Sequence, residues 1–525
     1  MYSDKAHINY LTRILLNQGT TDIVVCPGAR NAPLCHNFHQ AGFLLHPVTD
    51  ERSAAFVALG IYLETKRPTI VCVTSGSALL NTLPAVAEAY YRHIPLIVIS
   101  ADRPKEWIGH LDGQTIPQQN ALIPYAKCIN IPEDVPLNNL PRKIAEELRK
   151  PCPLHINVEL EEPLFNFTTE ELPQIGTVKL SENSPVFQYS QTDLETVAKA
   201  INEAQFPLLM MGQQEEFIPN LSDELRSRMP VLFEIISNTF GSETSDKLET
   251  ILATGAPPPY VPDLIIHIGG AFVCKHMKQF LRKQPNISVI RIGLEEEAPK
   301  TFGRVDFSVR TYPIPFLQNL TPLLKRQGYK HTAWENAIRD HYHQIKLPSP
   351  PQEKTLLLGF TSAKLDVIHV ANSSSVRLLN KFVPGGYTPI FCNRGVNGIE
   401  GSLSTAAGHS LKTNKPVGCI IGDLSFFYDV NALWNTRLGK NLIILLLNNC
   451  RGEIFYKLEK LKDSPALNDY IAAHHSTTAK GICASYNINY MCKAATECYA
   501  ETITSIIEKH LKSDAQRPLV IEVLL

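Results

Sequence analysis

The sequence predicts an α/β protein built from three doubly wound parallel-sheet domains. Its 525 residues are three to four times the length of a common domain of roughly 150 residues, so a single core is not expected. Short apolar runs alternate with helical patterns, which is typical of βαβ units. Polar, proline-containing stretches divide these runs into three sets. The divisions predict domains at residues 1–180, 186–345 and 355–525.

The first set predicts a parallel sheet preceded by a helix near residues 8–18. Its strands are predicted at residues 22–26, 69–73, 96–100 and 154–160. Helical patterns between these runs supply the crossovers that parallel strands need. The proline- and glutamate-rich stretch 161–185 is expected to be a linker.

Two further sets of apolar runs predict two more sheets. The predicted strands lie at residues 207–211, 264–268 and 287–292 in the second set, and at 417–421, 442–447 and 519–524 in the third. The polar region 341–354 separates the two sets. The third set resembles the first in its spacing of strands and helices, although the two show no sequence repeat.

Charge balance and targeting signals predict a cytoplasmic protein. With 50 basic and 51 acidic residues, the net charge of -1 gives no field to attract nucleic acid, so charge recognition depends on local Arg and Lys clusters. The amino terminus, MYSDKAHINYL, lacks a signal-peptide pattern, and no apolar run is long enough for an integral membrane segment. Twelve cysteines without a CxxC pair are interpreted as reduced core residues.

Polar residues follow two predicted strands of the third set. Gly422, Asp423 and Ser425 come directly after one strand, and Asn449 follows the next. Ligands bind at the carboxyl edge of such sheets, and carboxylate and amide oxygens suit Mg²⁺ or Ca²⁺. Each segment alone is better explained as a helix cap or a turn, but their combination favours a metal that holds a phosphate.

Two segments of the first set also resemble ligand-binding turns. Asp50 and Glu51 open a helical pattern, although a carboxylate there is often only a favourable contact with the helix dipole. Thr74, Ser75 and Gly76 lie between a strand and a helix whose amide groups could receive anions, with a simple Ser/Thr cap as the alternative.

Together these motifs resemble those of thiamine-diphosphate enzymes. GDLS at 422–425 followed by NN at 448–449 is similar to their metal and diphosphate motif, and TDERSAAFVALG at 49–60 with VTSGSALLN at 73–81 is similar to their pyrimidine-binding domain. The resemblance implies a pyrimidine-binding first domain, a central domain and a diphosphate- and metal-binding third domain. It also implies that Glu51 is catalytic, because it occupies the position of the glutamate that protonates the aminopyrimidine.

The same resemblance implies thiamine diphosphate and Mg²⁺ (or Mn²⁺) as cofactors. The implied metal ligands are Asp423, Asn449 and the backbone carbonyl of Arg451. The implied cofactor-binding residues are Thr74, Ser75, Gly76, Asn81, Ile399, Gly422, Asp423, Leu424, Ser425, Asn449 and Ile454. Ile399 would be the apolar wedge that keeps the cofactor bent, whereas Ile454 and the neighbouring Phe455 are also explained as plain core residues.

Further motifs narrow the resemblance to the 2-succinyl-5-enolpyruvyl-6-hydroxy-3-cyclohexene-1-carboxylate (SEPHCHC) synthases of menaquinone biosynthesis. These motifs are CPGARNAPL at 26–34, ISADRP at 99–104, NSSSVR at 372–377, CNRGVNGIEGSLSTAAG at 392–408, GDLSFFYDVNAL at 422–433 and NNCRGEIF at 448–455. The family decarboxylates 2-oxoglutarate and adds the succinyl carbanion equivalent to isochorismate. The substrate-binding residues implied by the resemblance are Arg30, Arg103, Gln114, Lys275, Ser373, Arg377, Arg394 and Phe455.

Two departures from the family pattern concern the acceptor site. Ala29 stands where relatives usually have Ser, and His276 stands where some relatives place a second cation. The resemblance also implies a homodimer or homotetramer, because Glu51 and Asp423 of different subunits meet at the interface. The alternatives left open are a thiamine-diphosphate decarboxylase or carboligase with another 2-oxo acid or acceptor, and a catalytically silent paralogue that binds the cofactor. A flavin or nicotinamide oxidoreductase is disfavoured, since no GxGxxG follows a strand.

Overall fold

Three parallel sheets organise the chain, which confirms the predicted fold class. The computed structural model describes residues 1–176, 187–218, 221–239, 243–346, 349–385, 388–458 and 460–525. The domain limits predicted at 180 and 186 lie outside the described residues, and the other limits stay a prediction. Among the described residues, no helix is long and apolar enough to cross a membrane.

The first sheet contains six parallel strands in the order β2-β1-β3-β4-β6-β5. Its strands are β1 (Asp22–Val25), β2 (Leu44–Pro47), β3 (Thr69–Val73), β4 (Leu96–Asp102), β5 (Lys127–Ile131) and β6 (Leu154–Glu159). Its helices are α1 (Ala6–Asn17), α2 (Ala32–Gln40), α3 (Glu51–Thr65), α4 (Ser77–Asn81), α5 (Leu83–Tyr91) and α6 (Leu140–Leu148). The central strands β3 and β4 are buried throughout, as is expected of a sheet with helices on both faces.

The second sheet contains five parallel strands in the order β11-β10-β9-β7-β8. Its strands are β7 (Pro207–Met211), β8 (Val231–Phe233), β9 (Leu264–Ile268), β10 (Ser288–Gly293) and β11 (Phe307–Arg310). Its helices are α7 (Gln191–Glu203), α8 (Leu221–Arg226), α9 (Glu243–Ala253), α10 (Lys275–Arg282), α11 (Pro313–Leu320) and α12 (Gly328–His343).

The third sheet has the order β13-β12-β14-β15-β17-β16, which repeats the order of the first sheet when each is counted from its own first strand. Its strands are β12 (Val367–Val370), β13 (Ile390–Phe391), β14 (Val417–Gly422), β15 (Leu442–Asn448), β16 (Asn489–Ala494) and β17 (Leu519–Leu524). Its helices are α13 (Gln352–Ser362), α14 (Ser374–Phe382), α15 (Ser402–Ser410), α16 (Asp423–Tyr428), α17 (Lys480–Ser485) and α18 (Ala500–Lys512). The first and third domains therefore share one topology, although their sequences show no repeat.

Helices α3 and α15 join the first and third domains by direct backbone contact. A Cβ atom placed on Gly60 would lie 2.0 Å from the carbonyl oxygen of Thr405, and one on Gly408 would lie 2.0 Å from that of Val57. Such distances are far below van der Waals contact, so each crossing point requires glycine. One shared hydrophobic core surrounds the two helices and includes residues of both sheets.

Replacement of Gly60 by alanine is therefore expected to destabilise the protein by about 1–3 kcal/mol, because the added methyl group forces the helices apart. The matched control is Gly481→Ala in α17, where nothing lies within 4 Å of the added Cβ. Alanine there is expected to be neutral or to stabilise the helix by about 0.5–1 kcal/mol. The midpoint of urea unfolding measures both effects, and an unchanged midpoint for Gly60→Ala would contradict the proposed contact.

Candidate functional site

The turns after β14 and β15 come together at the carboxyl edge of the third sheet. Asp423 is the first residue of α16 and is 3% exposed. Its carboxylate accepts the amide N–H groups of Leu424 (2.7 Å), Asn449 (3.1 Å) and Arg451 (3.2 Å). The turn between Asn449 and Arg451 requires a positive φ of 60° at Cys450. The structure thus brings the three predicted metal ligands together in these two adjacent turns, the turn pair after β14 and β15.

The donor set of this turn pair fits a hard divalent cation. It combines a buried carboxylate, the amide oxygen of Asn449 and the backbone oxygen of Arg451, and oxygen ligands of these kinds suit Mg²⁺. Burial raises the pKa of Asp423, while the surrounding amide groups and His475 favour its charged form. A cation beside this carboxylate would offset the cost of burying its charge.

Diphosphate-binding residues predicted around this turn lie on α16 and its neighbours. Gly422 is the N-cap of α16, so the first amide groups of that helix face the end of β14. The Ser425 hydroxyl donates to the carbonyl oxygen of Ile399 at 2.5 Å, which ties the predicted wedge residue to the same helix. The Ile399 side chain is 39% exposed, as a residue that contacts a ligand would be. Ile454 and Phe455 are half-buried in a short 3₁₀ helix, Glu453–Lys457.

Glu51 is the first residue of α3, and its neighbour Asp50 performs the capping. Asp50 accepts the amide N–H groups of Arg52 (2.9 Å) and Ser53 (3.1 Å). The Glu51 carboxylate instead accepts a hydrogen bond from the Asn81 side chain at 3.1 Å. Because Asp50 satisfies the helix end, the carboxylate of Glu51 is available for another partner.

The turn after β3 is not a Ser/Thr cap of the kind considered from the sequence. The N-cap residue of α4 is Gly76, which has a positive φ of 80° and donates its N–H to the Gln118 side chain at 2.7 Å. The buried Ser75 hydroxyl accepts from Arg103 at 3.3 Å. A side chain on Gly28 would collide with Thr74, so two predicted binding segments are in close contact.

A cavity of about 460 Å³ lies beside this turn and contains one predicted group of substrate residues. Arg30, Arg103, Gln114 and Ala29 line it. Arg30 pairs with Glu162 at 3.1 Å and Arg103 pairs with Asp112 at 2.5 Å. Both arginines can therefore exchange their present partner for a substrate carboxylate, because the side chains of Glu162 and Asp112 are exposed.

A second group of predicted substrate residues lies where the second and third domains meet. Arg377 donates to the carbonyl oxygen of Val273 at 3.0 Å, and Arg394 donates to that of Phe272 at 3.3 Å. Asn372 accepts from Arg394 at 3.2 Å, and the adjacent Ser373 has a positive φ of 68°. A non-glycine residue in that conformation is strained, which is common at ligand-binding sites.

Lys275, also predicted to bind substrate, is exposed at the start of α10. Its backbone N–H and that of His276 are accepted by one carboxylate oxygen of Glu249, at 2.8 and 2.9 Å. The same carboxylate therefore fixes the beginning of the helix.

The structure adds a buried carboxylate that sequence analysis did not find. Glu88 on α5 is 1% exposed and accepts the amide N–H groups of Gly395 and Val396, both at 2.9 Å. It thereby anchors the loop that carries Arg394. Burial raises the pKa of Glu88, whereas Arg92 and the two amide groups favour its charged form. In the sequence Glu88 is only one polar residue in an apolar helix, so no signal marked it.

The two groups of predicted cofactor residues do not contact each other directly in the described part of the chain. Among the described residues, no hydrogen bond or ion pair joins Glu51 or Asn81 to Asp423, Asn449 or Arg451. Leu80 and Tyr91 near Asn81 are exposed, as are Tyr428 and Trp434 of the third domain.

Comparisons with known proteins place this chain among thiamine-diphosphate enzymes. Residues 7–122 match the family model described as thiamine pyrophosphate enzyme, N-terminal TPP binding domain. The SEPHCHC synthase of Bacteroides thetaiotaomicron is 35% identical, over 100% of this chain and 96% of its own length. That of Bacteroides fragilis is 36% identical over 92% and 89%, and that of Desulfotalea psychrophila is 33% identical over 99% and 98%.

The fold is similar to that of a solved structure of benzoylformate decarboxylase from Polynucleobacter necessarius. The TM-score is 0.75 at 16% identity, and the match covers 100% of this chain and 99% of the other. At that identity the likeness concerns the fold.

Replacing Glu88 by glutamine is expected to cost about 1–3 kcal/mol of stability, because each carboxylate oxygen accepts one N–H group and the amide NH₂ that replaces one oxygen cannot accept. It should also raise the KM of the substrate that Arg394 is predicted to bind. The control is Glu146→Gln, which removes the exposed Arg142–Glu146 ion pair. Its two residues are four positions apart, as are Glu88 and Arg92. The control should change stability by less than about 1 kcal/mol. Equal losses in urea unfolding for both variants would contradict the anchoring role of Glu88.

Proposed function

This chain belongs to the SEPHCHC synthase family of thiamine-diphosphate enzymes, and on that premise we propose how its own residues carry out the reaction. It is a transferase that forms a carbon–carbon bond with thiamine diphosphate and a divalent metal ion in menaquinone biosynthesis. We infer that it decarboxylates 2-oxoglutarate and transfers the succinyl unit to isochorismate. The observation that carries this proposal is the pair of separate cation groups, because both substrates are dicarboxylates.

Asp423, Asn449 and the carbonyl oxygen of Arg451 would hold Mg²⁺ or Mn²⁺, and the beginning of α16 would receive the diphosphate. Thiamine diphosphate, when bound, supplies the electron sink that decarboxylation of a 2-oxo acid requires. Glu51 would hold or release a proton at its carboxylate, which Asp50 leaves free of the capping role. Ile399 would exclude water from the ligand with its exposed apolar side chain.

The two cation groups would bind and orient the two substrates. Arg30 and Arg103 with Gln114 form one group, and Arg377 and Arg394 with Ser373 form the other. Guanidinium groups bind carboxylates through two parallel hydrogen bonds, which fixes orientation as well as position. Lys275 and Phe455 are assigned here as further contacts on the strength of the family resemblance.

We further propose that the active unit is at least a homodimer and that it works in the cytoplasm. The family resemblance, in which Glu51 and Asp423 of different subunits meet, supports a site completed by a second subunit, and among the described residues no hydrogen bond or ion pair joins the two within one chain. The exposed Leu80, Tyr91 and Trp434 supply apolar surface for such an interface. The twelve free cysteines suit a reducing compartment.

A carboligase with another acceptor is the second candidate function. Ala29 lines the same cavity as Arg30 and Arg103, so the missing hydroxyl lies beside a predicted carboxylate site. A change of acceptor there would leave the metal turn and Glu51 unaffected.

With thiamine diphosphate, Mg²⁺, 2-oxoglutarate and isochorismate, the purified protein is expected to form the SEPHCHC adduct, measured by mass spectrometry and CO₂ release. Glu51→Gln should lower kcat by about 10²–10⁴-fold, the range lost with a general acid–base group. CO₂ release without adduct would favour the second candidate. If the wild-type protein forms neither the adduct nor CO₂, the proposed function is refuted.

Mixing Glu51→Gln protein with Asp423→Ala protein, each inactive alone, tests the interface. In a mixed dimer one site combines both changes, whereas the other has the intact Glu51 of one subunit and the intact Asp423 of its partner. Activity should therefore recover after subunits exchange, whereas a site formed within one chain would stay inactive. Light scattering coupled to gel filtration measures the oligomer directly.

A further inference from the structure

The segment that precedes α10 carries backbone oxygens that bring three cations together. The carbonyl oxygen of Phe272 accepts from the Lys278 ammonium at 2.9 Å and from the Arg394 guanidinium at 3.3 Å. The next carbonyl oxygen, of Val273, accepts from Arg377 at 3.0 Å. Lys278 and Arg394 are therefore close neighbours, since both contact one atom.

The three cations form no ion pair in the described part of the chain. Among the described residues, no carboxylate oxygen lies within the 4.0 Å of an ion pair from Lys278, Arg377 or Arg394. The nearby Glu234 is occupied, because its two oxygens accept the amide N–H groups of Val273 (2.6 Å) and Cys274 (2.7 Å).

Burial and mutual repulsion act on this group. Arg394 is 6% exposed, and its Nε has no hydrogen-bond partner among the described residues. Burial, followed by the charge of Arg394, lowers the pKa of Arg377. Burial is also the main cause of the lowered pKa of Lys278, to which Arg394 and Arg377 contribute. Like charges held together in this way are stabilised by an anionic ligand.

His276 does not belong to this group. Its Nδ1 lies 3.0 Å from the Glu249 carboxylate, which also accepts the backbone N–H of His276 itself. Lys278 follows Lys275 by three positions on α10, and residues at that spacing share one face of a helix. The face of α10 that carries Lys275 therefore presents its second cation at Lys278.

We infer that Lys278 is a further substrate-binding residue, which together with Arg377 and Arg394 takes one substrate carboxylate. This inference rests on the proposed function. It assigns to Lys278 the role of the second cation that some relatives place at the position of His276. The ammonium group supplies a point charge and the two guanidinium groups supply directional hydrogen bonds. The ligand chemistry is a carboxylate, and either 2-oxoglutarate or isochorismate can provide it.

The test is Lys278→Met, which keeps an unbranched side chain, one atom shorter, and removes its charge. Loss of one charged hydrogen bond should raise the KM of one substrate about 10- to 100-fold with little change in kcat. Which of the two KM values rises identifies the source of the carboxylate. Lys278→Arg should recover most of the affinity, because it restores the charge.

The matched control is Lys283→Met, an exposed lysine at the C-cap of the same helix. It should leave both KM values unchanged. Unchanged KM values in Lys278→Met would refute the inference, and so would a lower melting temperature accompanied by equal changes in both KM values, which indicates a structural role.

Binding without turnover separates this inference from the proposed function. 2-Oxoglutarate and, separately, isochorismate are titrated calorimetrically into Glu51→Gln protein and into the double variant that also carries Lys278→Met. The double variant should bind one of the two compounds more weakly. That result supports the role of Lys278 even if no SEPHCHC adduct forms. If each compound binds the single and the double variant equally well, the inference is refuted.

Discussion

The contact between α3 and α15 is the constraint on which the rest of the structure depends. Glycines at positions 60 and 408 let the two backbones touch, so the first and third domains have one allowed separation. The contact continues to the beginnings of both helices, where Ser53 and Ser404 share a hydrogen bond of 2.8 Å. Buried Asp429, whose pKa burial raises to about 7, accepts the N–H and O–H groups of Ser404. The position of Glu51 is thus determined by interdomain packing.

Two buried glutamates organise the loops that carry the cations proposed to bind substrate. Glu88 holds the amide groups that follow Arg394, and Glu234 holds those that precede α10. Because these carboxylates are satisfied by backbone N–H groups, they supply negative charge near the cations without forming ion pairs with them. The cations therefore remain available to a ligand, while the loops that present them are fixed.

Sequence analysis predicted the parts of the site that follow strands. The turns at Asp423 and Asn449 were found because the carboxyl ends of neighbouring parallel strands meet at one edge. Edge strands such as β2 and β16 were missed, since their half-exposed residues lack a continuous apolar run. Glu88 and Lys278 were missed for another reason: their roles depend on which backbone groups of distant segments face them, and helix spacing does not encode that.

The two cation groups differ in what a substrate must displace. Arg30 and Arg103 already pair with Glu162 and Asp112, so a carboxylate that binds there exchanges one ion pair for another. The displaced side chains of Glu162 and Asp112 are 73% and 42% exposed, so they return readily to water and the exchange is nearly balanced. Within the described part of the chain the group at Lys278 has no carboxylate partner to lose, and a carboxylate that binds there relieves repulsion among three neighbouring cations. This difference favours the group at Lys278 as the tighter of the two carboxylate sites.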